Sequence, residues 1–275
     1  MPLKSKDLYQ EWLEAVNNHD FTKAEDLYLK LIEIDPTMAE VNFPMGIWYK
    51  ENGLWDKAKA AFLRALATDP HIDSETYYYL GNVTRESKEY EEAISYFQKA
   101  LDANPQFFEA QYNLGKVYAL QGRSEDALEA FLKALELNPQ DLDTYVNIGV
   151  ELSNQGQREK ALEMYQKALE LDPYSYLVYS NIGVEYTLMG EYDKAINFHK
   201  KALELNAFYG DGWYNLACTY ARMQDLDNSL KNLERAIRLD DENIAYAKND
   251  PELASVRDTR EFKKLVKQWK REKVE

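Results

Sequence analysis

The stretch Leu142–Ser175, LDTYVNIGVELSNQGQREKALEMYQKALELDPYS, decides the fold, because the same 34-residue pattern is written again on either side of it. Gly46, Gly81, Gly115, Gly149 and Gly183 follow one another at spacings of 35, 34, 34 and 34 residues, and Ala217 stands 34 beyond the last. Twelve residues after each comes a small side chain, Ala58, Ala93, Ala127, Ala161, Ala195 or Ser229, with another alanine seven further on, from Ala65 to Ala236. Small residues at a fixed period let helices approach closely. Pro36, Pro70, Pro105, Pro139 and Pro173 punctuate the units, since a proline ring cannot continue a helix. A length of 275 residues would otherwise imply one or two globular domains. A period of this size implies a repeat array instead.

Each unit reads as two helices. In the central copy Tyr145, Ile148 and Leu152 recur at helical spacing, and Gly156 follows as a helix-ending residue that tolerates positive φ. A second amphipathic segment begins near Arg158 and carries Ala161, Leu162, Tyr165, Ala168, Leu169 and Leu171. Gly53, Gly122 and Gly190 end the first helix in other copies, whereas His19, Lys88 and Gln224 stand there in the rest and predict less ideal turns.

The segments YYYLGNVT with AISYFQKALDANP, YNLGKVY with ALEAFLKALELNP, and YSNIGVEY with AINFHKKALELN resemble the tetratricopeptide repeat. The resemblance implies an all-α, right-handed α-solenoid of seven helix-turn-helix units over residues 1–243, at approximately 5–38, 39–73, 74–107, 108–141, 142–175, 176–209 and 210–243. Residues 244–275 are expected to form a C-terminal helical cap with a basic tail.

The copies are uneven. Trp12 replaces the glycine of the first, and the last carries Ala217, Ser229 and Asp241 at the glycine, alanine and proline places. Pro44 lies inside the first helix of the second copy, where it costs about 3 kcal/mol in a helix interior. That penalty predicts a late start near Phe43, with Asn42 as cap. Beyond the repeats, Asp250 before Pro251 predicts a helix start, and Asp258 with Glu261 resembles a capping box. Phe262, Leu265, Val266 and Trp269 form a stripe suited to covering the last repeat.

The 48 acidic and 33 basic residues leave a net charge of −15, which disfavours nucleic acid and anionic membrane surfaces and favours a neutral or basic protein or peptide ligand. The basic exception is residues 256–275, which hold eight basic and four acidic side chains. No apolar run is long enough to span a membrane, and MPLKSKDLYQEW carries no apolar core of signal-peptide length. With Cys218 as the one cysteine, a reducing, cytoplasmic location is expected. His19, His71 and His199 are scattered, and His199 occupies the place of Phe97, Phe131 and Tyr165, so it reads as a packing ring. No catalytic residue, metal ligand or cofactor is expected, and the chain reads as no enzyme.

The resemblance further implies that the first helices of successive units line a concave groove. Its sixth place holds Tyr79, Asn113, Asn147, Asn181 and Asn215, similar to the asparagine ladder of O-linked N-acetylglucosamine transferases and bacterial repeat proteins. Such amides both donate and accept, which suits the backbone of an extended peptide. Tyr78, Tyr112 and Tyr214 add aromatic area, Val146, Val150, Val184 and Leu188 an apolar patch, and Asn82, Lys116 and Arg222 polar handles. Glu40, Glu75, Glu109, Asp143 and Asp211 share the second place as an acidic edge. The family's carboxylate clamp for chaperone tails is matched at Asn82 and Asn113 only. Tyr78, Asp143 and Asn147 stand where its cations belong, so binding of that type is not expected. The expected function is a non-catalytic scaffold or adaptor that holds an extended or helical partner segment, as a monomer or weak homo-oligomer. The alternative is a structural assembly protein that self-associates through solenoid ends or N-terminal repeat exchange.

Overall fold

The computed structural model describes residues 3–67 and 74–272. The regular elements among them are helices arranged in tandem pairs. The chain forms two compact units, Met1–Pro139 and Gln140–Glu275. The first unit holds α1 (Leu3–Asn17) with α2 (Phe21–Ile34), α3 (Ala39–Glu51) with α4 (Trp55–Leu66), α5 (Ser74–Glu86) with α6 (Tyr90–Ala103), and α7 (Phe108–Leu120) with α8 (Ser124–Leu137). The second holds α9 (Leu142–Asn154) with α10 (Arg158–Leu171), α11 (Tyr176–Met189) with α12 (Tyr192–Leu205), and α13 (Gly210–Arg222) with α14 (Leu226–Leu239). It continues through α15 (Asn243–Asn249), a 3₁₀ turn (Pro251–Leu253), α16 (Ala254–Arg257) and α17 (Arg260–Glu272). Inside each unit the helices of a pair pack together, and the second helix of one pair packs on the first helix of the next. This is an α-solenoid built from one repeating motif.

The periodic glycines have a common cause. A Cβ at Gly46, Gly81, Gly115, Gly149 or Gly183 would lie 2.6, 2.7, 2.7, 2.4 or 2.6 Å from the ring of Phe62, Phe97, Phe131, Tyr165 or His199. Each ring is buried on the second helix of the pair, so only hydrogen fits between it and the first helix. His199 fills this packing position with no exposed surface, and neither ring nitrogen finds a hydrogen-bond partner among the described residues. Its burial pushes the imidazole down to about 4.

The turn inside each pair needs positive φ. Gly53, Gly122, Gly156 and Gly190 supply it at φ of 70 to 77°, and His19, Lys88 and Gln224 adopt the same left-handed conformation at 55, 62 and 62°. Between pairs, the turning device is an Asp or Asn side chain that accepts the amide two residues on. Asp35, Asn104, Asp172, Asn206 and Asp240 bond in this way to Thr37, Gln106, Tyr174, Phe208 and Glu242, at 2.9 to 3.1 Å. The turns that lack proline, with Ala207 and Asp241 in its place, therefore keep the same geometry. Pro70 lies outside the described residues.

Two helix starts differ from expectation. Helix α3 begins at Ala39 and carries Pro44 internally, so the late start at Phe43 is corrected. Asn42 is no cap: it is fully buried, accepting from Tyr28 Oη at 3.0 Å and donating to the Pro36 carbonyl at 3.0 Å. These tertiary bonds hold the first turn as helix, and Pro44, the sixth residue of α3, forfeits one backbone bond, the one an amide there would have made to the Glu40 carbonyl. The cap of α17 is Thr259, whose Oγ1 accepts the Phe262 amide at 3.1 Å, while Asp258 closes α16. Asp250 does cap the 3₁₀ turn, accepting from the Glu252 amide. Phe262 is buried with Leu233 and Ile237, and Leu265, Val266 and Trp269 pack around that cluster, covering α14.

Candidate interaction site

In the first unit, α5 and α7 carry the expected groove residues, and most are engaged inside the chain. Tyr79 stacks on Phe62 at 5.4 Å with planes 9° apart, and Lys50 Nζ sits 5.2 Å above its ring. Tyr78 packs on Phe107 and Phe97 at 5.0 and 6.1 Å. The contacts to Phe62 and Phe107 join consecutive pairs, and the contact to Phe97 lies within one pair. The Asn113 amide is committed on both sides: its oxygen accepts from Arg85 Nη1 and its nitrogen donates to the Glu109 carbonyl at 2.8 Å. Tyr112 stacks on Phe108, with Lys116 Nζ 5.6 Å above its ring. Asn82 is half-buried and makes no side-chain hydrogen bond to the described residues.

In the second unit, α9 presents Asp143 and Val150 to solvent, with Val146 and Asn147 half-buried. On α11 Val184, Leu188 and Asn181 are half-buried, and the Asn181 amide makes no hydrogen bond to the described residues. The Asn215 amide on α13 donates to Ser180 Oγ at 3.2 Å, tying two first helices together. Val146 with Val150 on α9, and Asn181 with Val184 on α11, each lie one helical turn apart, which gives this face mixed apolar and amide character.

The end of this face is already filled. The Tyr214 hydroxyl donates to Asp250 Oδ2 at 2.8 Å, the Cys218 thiol lies 3.8 Å from the same oxygen, and Arg222 Nη2 pairs with Glu252 Oε1 at 2.6 Å. The 3₁₀ turn thus lays two carboxylates on α13. Burial, then the Asp250 carboxylate, push both the Tyr214 phenol and the Cys218 thiol up, so neither ionises at neutral pH. Cys218 behaves as a small buried apolar residue. Two carboxylates flanking Pro251, 36 and 30 residues beyond Tyr214 and Arg222 respectively, are the trace of this contact in the sequence.

Glu40, Glu75, Glu109, Asp143 and Asp211 are all exposed and lie in the first turns of α3, α5, α7, α9 and α13. Carboxylates there gain about 0.3 to 1 kcal/mol from the helix dipole. Among the described residues no cluster of three or more His, Cys, Asp or Glu is placed to hold a metal ion, and no helix is long and apolar enough to cross a membrane.

Tandem helix pairs with glycine-to-ring packing and side-chain-lined faces define a helical repeat protein. The chain belongs to the tetratricopeptide repeat family, whose models match residues 45–106, 80–141, 142–175, 176–209 and 210–243. A search of curated proteins found no match. Among solved structures, YrrB, described as a TPR protein with an unusual peptide-binding site, is 26% identical, with 68% of this chain and 97% of that one aligned at a TM-score of 0.52. MamA from Desulfovibrio magneticus RS-1 is 23% identical over 63% of this chain and 96% of its own, at a TM-score of 0.59. PilF from Pseudomonas aeruginosa is 18% identical over 84% of this chain and 97% of its own, at 0.62. The last two are alike in fold. Family and fold together support a protein-interaction scaffold.

Proposed function

We propose that the protein is a non-catalytic adaptor that binds an extended or helical segment of a partner protein on the first-helix face of its second unit, along α9 and α11. The observation that carries this reading is the Asn181 amide, left without an internal partner beside Val184, while Val150 is 36% exposed on α9. An amide with both donor and acceptor available meets a peptide backbone, and the exposed Val150 with the half-buried Val146 and Val184 takes an apolar side chain. Asp143 and Asp211 flank the face and favour a partner with Lys or Arg, with Asp143 standing where a carboxylate clamp needs a cation. YrrB, which shares this fold at 26% identity, is described as having an unusual peptide-binding site, and that supports a peptide ligand here.

The test is a peptide-display selection against the intact protein, followed by titration of the selected peptides. Val150→Glu with Asn181→Ala is expected to weaken them at least tenfold, about 1.4 kcal/mol. Peptides bound equally by the wild type and this double variant would contradict the reading. Light scattering on the same samples separates it from self-assembly: a monomer at all concentrations fits the adaptor, and a stable dimer that resists competing peptide does not.

A further inference from the structure

A second surface of the second unit, bounded by α12, α13 and α14, is a cleft of about 510 Å³. Its origin lies in one repeat position. In the preceding pair the corresponding space is closed by Phe198, whose ring stacks against Tyr179 and Tyr186 at 6.2 and 5.4 Å. One repeat later that place is Asn232, whose amide turns back onto the Asn228 carbonyl at 2.7 Å and leaves the space open. Leu203, Leu216, Trp213 and Tyr220 form an apolar wall. The Trp213 indole is held by a hydrogen bond from Nε1 to the Ala207 carbonyl at 2.9 Å, and the Arg235 guanidinium lies 5.7 Å from its ring centre.

The charge of this cleft runs against that of the protein. Lys200, Lys231 and Arg235 form no ion pair with the described residues, whereas the bordering Glu204 and Glu234 are neutralised by Lys201 and Arg238. The first unit supplies an internal control, a cleft of about 370 Å³ at the same repeat positions. There Gln98, Asp126 and Glu129 stand in the places of Lys200, Asn228 and Lys231, and Lys133 is paired with Glu129. An open cleft thus follows from a small residue at Phe198's place, but an excess of free cations around a tryptophan does not. In a chain of net charge −15 such a patch selects a short anionic segment.

We propose that this cleft docks an acidic segment of a partner protein, with a bulky apolar side chain seated against Trp213 and Leu216 and flanking carboxylates meeting Lys200, Lys231 and Arg235. A nucleic acid is the less suitable polyanion, since the surrounding acidic surface repels a long phosphate backbone. The surface shares no residue with the α9 and α11 face.

The experiment is fluorescence anisotropy with an array of fluorescein-labelled peptides bearing Phe, Leu, Ile or Trp at the centre, flanked by Glu and Asp, together with serine-centred controls and a labelled oligothymidylate. At least one apolar-centred peptide is expected to bind saturably. Asn232→Phe, which copies the closed arrangement of Phe198, should weaken it at least about tenfold, and so should Lys200→Glu with Lys231→Glu, two exposed positions. Val150→Glu with Asn181→Ala should leave it unchanged, so that failure of the groove and failure of the cleft are distinguishable. The proposal is overturned by no saturable binding below about 1 mM, by equal affinity for serine-centred controls or for the Asn232→Phe protein, or by tighter binding of the oligonucleotide.

Discussion

Replacing His199 with phenylalanine is expected to raise stability at neutral pH by about 1 to 3 kcal/mol, because it removes two buried ring nitrogens that have no partner. The place already accepts phenylalanine, since Phe97 and Phe131 occupy it over Gly81 and Gly115 as His199 does over Gly183. The effect grows with acid. In the folded chain burial holds the imidazole at about 4, against 6.5 when exposed, so between these values the unfolded state binds more protons. Stability from this group is complete above about 6.5 and is lost as the pH falls towards 4, a loss of about 3 kcal/mol in the wild type. His199→Phe lacks this term. Urea denaturation of both proteins at a series of pH values should show the gap between them widening over that window. A constant gap would mean that the imidazole is not buried in the neutral form.

Gly149→Val is expected to cost about 3 kcal/mol, the upper part of the usual range for overpacking. Its Cβ would lie 2.4 Å from Tyr165 Cε1, and Tyr165 is 2% exposed, so the ring has nowhere to move. Alanine at Gly156 provides the contrast, because nothing lies within 4 Å of its Cβ site and only the positive φ of 75° is strained. That change should cost about 1 to 2 kcal/mol. The seventh pair contains a natural compensation: Ala217 replaces the glycine, and Leu233 replaces the ring. Gly149→Ala combined with Tyr165→Leu should therefore be less damaging than the sum of the single changes, as thermal melts in a double-mutant cycle would show. Strict additivity would mean that glycine and ring do not share the space.

These glycines show what was legible in the sequence. Their period, with the alanines and prolines, revealed the helix pairs, because packing between identical units repeats every constraint at the same interval. The partner of each glycine was not legible, since a small residue announces close approach without naming what approaches. Pro44 misled for a related reason: helix propensity weighs a local cost, whereas the α3 start is held by the Tyr28, Asn42 and Pro36 bonds between pairs. At α17, Asp258 and Thr259 are both good caps, and only the Phe262 amide distinguishes them.

The functional surface was legible as register and illegible as availability. The helical period places Asn113, Asn147, Asn181 and Asn215 at one repeat position. Whether an amide is free depends on residues far along the chain, such as Arg85 for Asn113 and Ser180 for Asn215, or Asp250 in the case of the Tyr214 hydroxyl. The α12 to α14 cleft was hidden in the same way. Trp213, Lys231 and Asn232 look ordinary one by one, and their meaning appears when Asn232 is set beside Phe198 and Lys231 beside Glu129.

The central claim is that the first-helix face of the second unit is where a partner segment binds. Hydrogen–deuterium exchange with and without a display-selected peptide tests it most directly, because protection reports the bound face without any substitution. Slowed exchange across residues 146–150 and 181–184, with little change in α5 and α7, is the predicted result. Protection confined to the first unit, or absent from α9 and α11 at saturating peptide, would contradict it.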